Sequence, residues 1–322
     1  MRAVRLSATD TAPQLETLAA PAPGAGEVVI DVAACGLNFA DLLMITGQYQ
    51  DCPPVPFTMG MEVAGRIAAL GAGVTGWKLG QRVMAFTGQG GLAEQVVCAA
   101  SRCVSVPDAM PMADAAGFPI AYGTSHLALT HRAGLRAGER LLVLGAAGGV
   151  GLTAVEIGAA LGAEVIAVAR GTAKLEVARK AGASICLDSD TVDLRNALKA
   201  MGGVDVVYDA IGEPLATPAL RALRPEGRFL AIGFAGGKVP QFPANILLVK
   251  NLTVIGLYWG GYLGFAPDVL SDSLRDLIGL VEKGKIRPHV SHILPLEQFD
   301  NGLDLLRARK STGKVVIEIA TH

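Results

Sequence analysis

The stretch Leu141–Gly151, LLVLGAAGGVG, decides how the chain is read. An apolar run leads into glycines at 145, 148, 149 and 151, and VGLTAVEIGAALG (150–162) continues with helical spacing of its apolar residues. A strand broken by glycines into a helix is the fingerprint of a dinucleotide site. Side chains are kept out so that the backbone can approach a pyrophosphate, the last glycine lets helix and strand pack, and the unpaired amides of the helix N-terminus face the phosphate oxygens. The spacing here, Gly145-x-x-Gly148-x-x-Gly151, is a variant of the usual pattern. Two blander readings compete. The glycines can form a plain tight turn, and from Leu141 to Ala163 the only charge is Glu156, a length that nominally spans a bilayer. Glycines at 145, 148, 149, 151, 158 and 162 speak against the span. The place of the run at the head of a strand–helix array speaks against the plain turn.

That array is predicted on both sides of the stretch. Strands are expected at LLVLG (141–145), EVIAVA (164–169), SICLD (184–188), VDVVYDA (204–210), GRFLAIG (227–233) and LTVIGLYW (252–259). TAKLEVARKAG, DLRNALKAMGG and PLATPALRALRPEG carry helical periodicity and glycine stops between them. Continuous apolar strands are covered on both faces, as in a parallel sheet wrapped by helices. Six of them with short crossovers predict a doubly wound α/β fold. At the end of the second strand an NAD site wants a carboxylate for the ribose hydroxyls; EVIAVARGTAK offers Arg170 and Lys174 instead, with Thr172 nearby. Two cations and a hydroxyl favour a 2′-phosphate, hence NADP over NAD, against the alternative of a merely solvated Arg and Lys.

The first 120 residues read differently. Pro- and Gly-rich stretches (PAPGAGE, DCPPVPF, LGAGVTGWKLG) punctuate short β-type segments, EVVIDVAAC, EVAGRIAAL and QRVMAFT, as in a compact β-rich domain. After Trp259 come one helical stretch (LSDSLRDLIGLVEKGKI), a short strand, a second helix (EQFDNGLDLLRARK) and a last strand, GKVVIEI. This tail is too short to fold alone and is expected to return to the first domain. With 322 residues, 51% hydrophobic and 18% charged, two packed domains are expected. A formal net charge of −1 leaves no basic field for nucleic acid or an anionic membrane. The scattered cysteines 35, 52, 98, 103 and 186 form no zinc-type cluster and suggest reduced thiols in a cytoplasmic protein.

The β-rich N-terminal segment, GAAGGVGL and the closing STGKVVIEI together resemble the medium-chain dehydrogenase/reductase superfamily, and within it the zinc-independent quinone oxidoreductases. CGLNFADLLMITGQY, FTMGMEVAGRI, GVTGWKLGQRV, AYGTSHLAL and RPHVSHILPLEQ carry the likeness along essentially the whole chain. It implies a GroES-like catalytic domain over 1–122 and 260–322 and a Rossmann NADP-binding domain over 123–259. The substrate would lie in a cleft between them, shaped by loops 46–57 and 259–266. Zinc-dependent relatives carry Gly-His-Glu where this chain has Gly60, Met61 and Glu62, and a thioether is a poor zinc ligand beside harder donors, so no metal is expected. Without zinc an alcohol is not readily made an alkoxide. What remains is hydride transfer from NADPH to an acceptor already electrophilic, a quinone or, alternatively, an enone or enoyl thioester. A reading of another class, an NADPH-binding structural or sensor protein without turnover, stays open.

By the same resemblance Asn38 and Asp41 lie beside the nicotinamide ribose and carboxamide, and Tyr49 stands where enoyl thioester reductases place a proton-donating tyrosine; a turn or cap role for the first two and a pocket wall for the third are the alternatives. Thr124 neighbours the nicotinamide. Gly145, Ala146, Gly148, Gly149 and Val150 form the phosphate loop, and Ile211, Gly233, Phe234, Tyr258 and Trp259 close around the coenzyme. Lys314 reaches back to it. Ser189 takes the position where many relatives carry a tyrosine. None of His126, His131, His289, His292 or His322 reads as a catalytic base. A homodimer is expected, paired along the sixth strand.

Overall fold

The computed structural model describes residues 1–319, so His322 lies outside the described residues. The chain divides into two compact units, one of residues 1–120 with 288 onward, the other Ala121–Arg287.

The first unit is built around the 11-residue strand Glu27–Leu37. Its neighbour Glu62–Leu70 pairs antiparallel along almost its whole length. On its other edge Gln95–Ala99 takes the first half, opposite Glu27–Asp31, and Lys314–Glu318 takes the last, opposite Ala34–Leu37. The seven-stranded sheet continues through Arg82–Phe86 to Cys103–Ser105, and on the far side through Val290–Pro295. A smaller sheet of Gln14–Thr17, Arg2–Leu6 and Phe57–Thr58 completes the β-rich unit. Alternate residues of the long strand (Val28, Ile30, Val32) share one core with Val63, Ile67, Val83, Val315 and Ile317. The register sets Val315 opposite Leu37, so Lys314 falls at the corner where the strand turns into the helix Phe39–Ile45.

The second unit is a six-stranded parallel sheet. Its order in space is Ile185–Asp188, Glu164–Ala169, Arg140–Leu144, Val204–Asp209, Leu223–Ala231, Thr253–Gly256, that is 3-2-1-4-5-6 in chain order. Leu141–Leu144 and Val165–Val168 are wholly buried, as strands covered on both faces must be. The order reverses between Arg140–Leu144 and Val204–Asp209. Their carboxyl ends therefore form a switch point, where Gly145 faces the Ile211 side chain.

The structure departs from the sequence reading in four places. The fifth strand begins at Leu223, because Pro225 cannot continue the helix Ala216–Ala222 and Glu226 takes a left-handed φ of 63°. The sixth strand is only Thr253–Gly256. A helix not foreseen, Ala244–Lys250, bridges the fifth and sixth strands; its apolar residues are the consecutive run Ile246–Val249, which goes all round a seven-residue helix and shows no helical period. The second unit also keeps the chain as far as Arg287, beyond the expected boundary at 259. The helix Pro267–Glu282 turns Leu270, Leu274 and Leu277 inward, and Ser273 bonds the His126 ring at 2.8 Å. Glu156 draws the two ends of this unit together: the Tyr122 hydroxyl donates to one carboxylate oxygen at 2.5 Å and the Arg287 amide to the other. Burial pushes the Glu156 carboxyl up, opposed by those bonds. Among the described residues no helix is long and apolar enough to cross a membrane; Leu141–Ala163 resolves into a strand, a glycine turn and the helix Gly149–Ala160.

Candidate active site

The residues singled out from the sequence fall into two sets, one in each unit. In the second unit the strand Arg140–Leu144 ends in Gly145 at φ +75°, a conformation that penalises a side chain. The Gly145 and Ala146 amides both donate to the Val168 carbonyl at 3.0 Å, which ties the turn to the neighbouring strand. A Cβ on Gly151 would lie 2.1 Å from the Gly145 carbonyl oxygen, so the helix can approach the strand only with glycine there. At Gly148 an added methyl would have its nearest neighbour 3.4 Å away; the protein itself leaves that position open. The 12-residue helix Gly149–Ala160 then presents the first-turn amides of Gly149, Val150 and Gly151, which have no partner within a helix. A cradle closed to side chains and lined by donors fits a pyrophosphate.

Behind the cradle lies a set of hydroxyls with no signature in the sequence. Ser125 Oγ lies 2.7 Å from Thr153 Oγ1 and 2.9 Å from the Tyr208 hydroxyl, and it donates to the Val150 carbonyl at 2.8 Å. Thr153 Oγ1 also lies 3.0 Å from the Ala121 carbonyl oxygen. The first turn of the glycine-loop helix is thereby fastened to the helix Pro119–Leu127 and to the fourth strand. Thr124 is buried beside this set. Gly123 is obligatory, since a Cβ there would stand 2.7 Å from the Trp259 indole nitrogen. At the end of the fourth strand Asp209 is fully buried. Its Oδ1 accepts from the Ile211 and Gly212 amides at 2.8 and 2.9 Å, and its Oδ2 has no hydrogen-bond partner among the described residues. Burial raises this carboxyl above its ordinary value, against the pull of the two amides. The Gly233 amide donates to the Asp209 carbonyl at 3.2 Å; Phe234 is exposed and Tyr258 half-buried.

Arg170 follows the second strand, exposed, with its Nε 3.1 Å from Asp190 Oδ1. The acid missing from the second strand thus stands just past the third, where Asp188 accepts from the Gly171 amide at 3.2 Å. The ion pair is solvent-exposed and of the kind worth about 0–1 kcal/mol, so it is readily exchanged for a stronger anion. Lys174 lies half-buried on the helix Thr172–Lys180, and the Ser189 amide donates to the Ala169 carbonyl at 3.0 Å.

The first unit holds the other set. Lys314 Nζ directs three donors at protein atoms: the Leu37 carbonyl at 2.7 Å, Asn38 Oδ1 at 2.7 Å and Glu62 Oε1 at 2.8 Å. Asn38 Nδ2 donates to the same Glu62 oxygen at 2.9 Å and to the Gly36 carbonyl at 3.2 Å, while Glu62 Oε2 accepts from the Ile120 amide at 2.8 Å. Glu62 is fully buried and Lys314 is 6% exposed. The Asn38 amide is therefore locked in one orientation. Lys314, expected to reach for the coenzyme, has its donors engaged within the unit. Asp41, also fully buried, accepts from the Asn38 backbone amide at 2.7 Å through Oδ2, and its Oδ1 has no hydrogen-bond partner among the described residues. Burial, partly countered by the Asn38 amide and Lys314, pushes its carboxyl up to about 7. Tyr49 packs its half-buried ring against the core of this unit. Met61 is buried in that core, and among the described residues no group of three or more His, Cys, Asp or Glu is arranged to hold a metal ion. The sequence reading noted Glu62 only as a remnant of a zinc motif; its pairing with Lys314 spans 252 residues and leaves no local signal.

Comparison with known proteins agrees with both units. Residues 24–108 match the family model of the alcohol dehydrogenase GroES-like domain, and residues 149–280 match that of the zinc-binding dehydrogenase. Bovine (Bos taurus) quinone oxidoreductase-like protein 2 is 38% identical over 297 residues, covering 91% of this chain and 85% of that protein. The quinone oxidoreductase of Thermus thermophilus, solved also in complex with NADPH, superposes with a TM-score of 0.88 at 33% identity, covering 99% of this chain and 100% of its own. The CurK enoyl reductase superposes with a TM-score of 0.89 at 27% identity, covering 99% of each chain. A GroES-like unit joined to a six-stranded Rossmann unit, and this identity across nearly the whole length, make the chain a member of the quinone oxidoreductase family of the medium-chain dehydrogenase/reductase superfamily.

Proposed function

We propose that this oxidoreductase binds NADPH and transfers hydride to a quinone without a metal ion. The observation that carries the reading is the state of Glu62. Both of its oxygens are committed to Lys314, Asn38 and the Ile120 amide, so the carboxylate is neutralised by an internal cation instead of being kept for zinc. Chemistry without a Lewis acid calls for an acceptor that is electrophilic as it stands. NADPH, when bound, supplies the hydride; the chain supplies position and electrostatics. The amides of Gly149, Val150 and Gly151 would hold the pyrophosphate, and Arg170 and Lys174 the 2′-phosphate. Asn38, fixed by Glu62 and Lys314, would set the nicotinamide face. The proton that completes the reduction would come from water or the Tyr49 hydroxyl.

The test is NADPH oxidation by a small benzoquinone, before and after exhaustive dialysis against a chelator. Turnover that survives chelation is expected; turnover that vanishes and returns with zinc overturns the metal-free reading. A second reading, reduction of an enoyl thioester, is favoured by the half-buried ring of Tyr49 and by the likeness to an enoyl reductase. Crotonyl thioester turnover that Tyr49→Phe abolishes, with quinone turnover absent, would establish it instead.

A further inference from the structure

One pair of nucleophilic side chains lies outside both sets of site residues. Cys98 stands near the end of the strand Gln95–Ala99 and Cys103 opens the strand Cys103–Ser105, with the single turn Ala100–Arg102 between them. Their sulfurs lie 3.7 Å apart, in hydrogen-bond contact. Both strands are anchored in the sheet, Cys98 opposite Val28 and Cys103 opposite Ala85. The two residues are 5% and 7% exposed, whereas Cys35 is sealed at 0%. We propose that Cys98 and Cys103 form a redox-active dithiol that a hydroperoxide oxidises reversibly to an intramolecular disulfide.

The sulfurs have to close from contact to a bonded separation of about 2.0 Å, and the single turn Ala100–Arg102 joins the two strands that carry them. The surroundings favour Cys98 as the attacking sulfur. The hydrogen bond with Cys103, aided by the Arg102 cation, draws the Cys98 thiol below its ordinary value against burial, while the same bond and burial push Cys103 up. The thiolate is the nucleophile, which favours Cys98 as the first to react; the disulfide is the same whichever sulfur attacks. The Cys98 sulfur attacks the peroxide oxygen and the O–O bond breaks, giving a sulfenic acid and expelling water or an alcohol. The Cys103 sulfur then attacks the sulfenic sulfur and the hydroxyl leaves as water. In sum two thiols and one hydroperoxide give one disulfide, one water and one further water or alcohol. A dithiol reductant reverses the change.

The experiment treats the reduced full-length chain with hydrogen peroxide, blocks the remaining thiols and maps tryptic peptides without reduction. Cleavage after Arg102 separates the two cysteines, so a cross-link joins two peptides and is unambiguous. Expected is a Cys98–Cys103 linked pair that dithiothreitol reverses, and in Cys103→Ser a dimedone-trapped sulfenic acid at Cys98. Direct passage of wild-type Cys98 to sulfinic acid with no cross-link overturns the proposal. So does a wild-type map in which both cysteines stay as thiols while Cys52 and Cys186 are oxidised. The wild-type map does not depend on how the variant folds. As a second measurement, phenylarsine oxide, a probe that bridges paired thiols, is expected to protect Cys98 and Cys103 together from alkylation; independent alkylation of the two in its presence counts against the pair.

Discussion

Burying an ammonium is costly unless its donors are met, and Lys314, 6% exposed, meets all three within the first unit. Lys314→Met leaves the Glu62 carboxylate buried without its cation. Removing one partner of such a pair is expected to cost about 3–5 kcal/mol, read from urea unfolding, whereas the double variant Lys314→Met/Glu62→Leu recovers part of the loss. Asp41 gives the same cluster a pH dependence. Its carboxyl is raised to about 7 in the folded chain by burial, ahead of the lowering by the Asn38 amide and Lys314. The folded state therefore holds a proton that the unfolded state releases near its ordinary value of about 3.9. Its contribution to stability is fully present below that value and is lost as pH rises through about 7. Asp41→Asn is expected to flatten the fall in urea midpoint between about pH 4 and pH 7; an unchanged slope would show that Asp41 is not its source. Asn38, Asp41 and Glu62 stand within reach of one another in the sequence, in GLNFAD and GMEVAG. The lysine that bonds Asn38 and Glu62 comes from 276 residues beyond Asn38, brought in by a strand register that no local pattern encodes.

The elements of the second unit were the most legible, because strands covered on both faces must be apolar throughout. EVIAVA is a strand from Glu164 to Ala169, as its composition required. The helix Ala244–Lys250 has no sequence signature because its four apolar residues are consecutive and show no helical period, and the Ser125–Thr153–Tyr208 set has none because its members lie 28 and 83 residues apart. Two glycine variants separate the structural demand of the loop from its binding demand. Gly151→Ala forces a methyl to 2.1 Å from the Gly145 carbonyl and is expected to lower the thermal midpoint as well as NADPH affinity. Gly148→Ala meets nothing closer than 3.4 Å, so stability is expected to change by about 1 kcal/mol or less, while NADPH affinity falls at least about tenfold if the pyrophosphate approaches there. Equal affinity in the Gly148→Ala variant and the wild type would remove the close-approach argument. Tyr208→Phe deletes one hydroxyl of the set behind the loop. A loss of about 0.5–1.5 kcal/mol is expected in denaturant unfolding.

For the whole molecule, two units were anticipated from length, but the second reaches Arg287, well past the boundary expected at Trp259. The helix Pro267–Glu282 carries an amphipathic pattern that serves either unit equally well in sequence; contacts such as His126 with Ser273 decide its place. The sheet of the second unit ends at Thr253–Gly256, an open edge strand, and the adjoining helix Ala244–Lys250 leaves Leu248 and Val249 about three-quarters exposed. Edges and apolar faces of this kind are ordinarily covered. We therefore expect light scattering to give twice the chain mass, and Leu248→Glu/Val249→Glu to shift it towards the monomer; a monomeric wild type contradicts the dimer. The coenzyme assignment stands or falls by titration of NADPH and NADH into the wild type and into Arg170→Ala/Lys174→Ala, followed by nicotinamide fluorescence. Expected is NADPH bound at least about tenfold more tightly than NADH by the wild type, with the ratio falling towards one in the double variant and NADH affinity unchanged. Equal affinity for the two coenzymes both before and after the substitutions contradicts it.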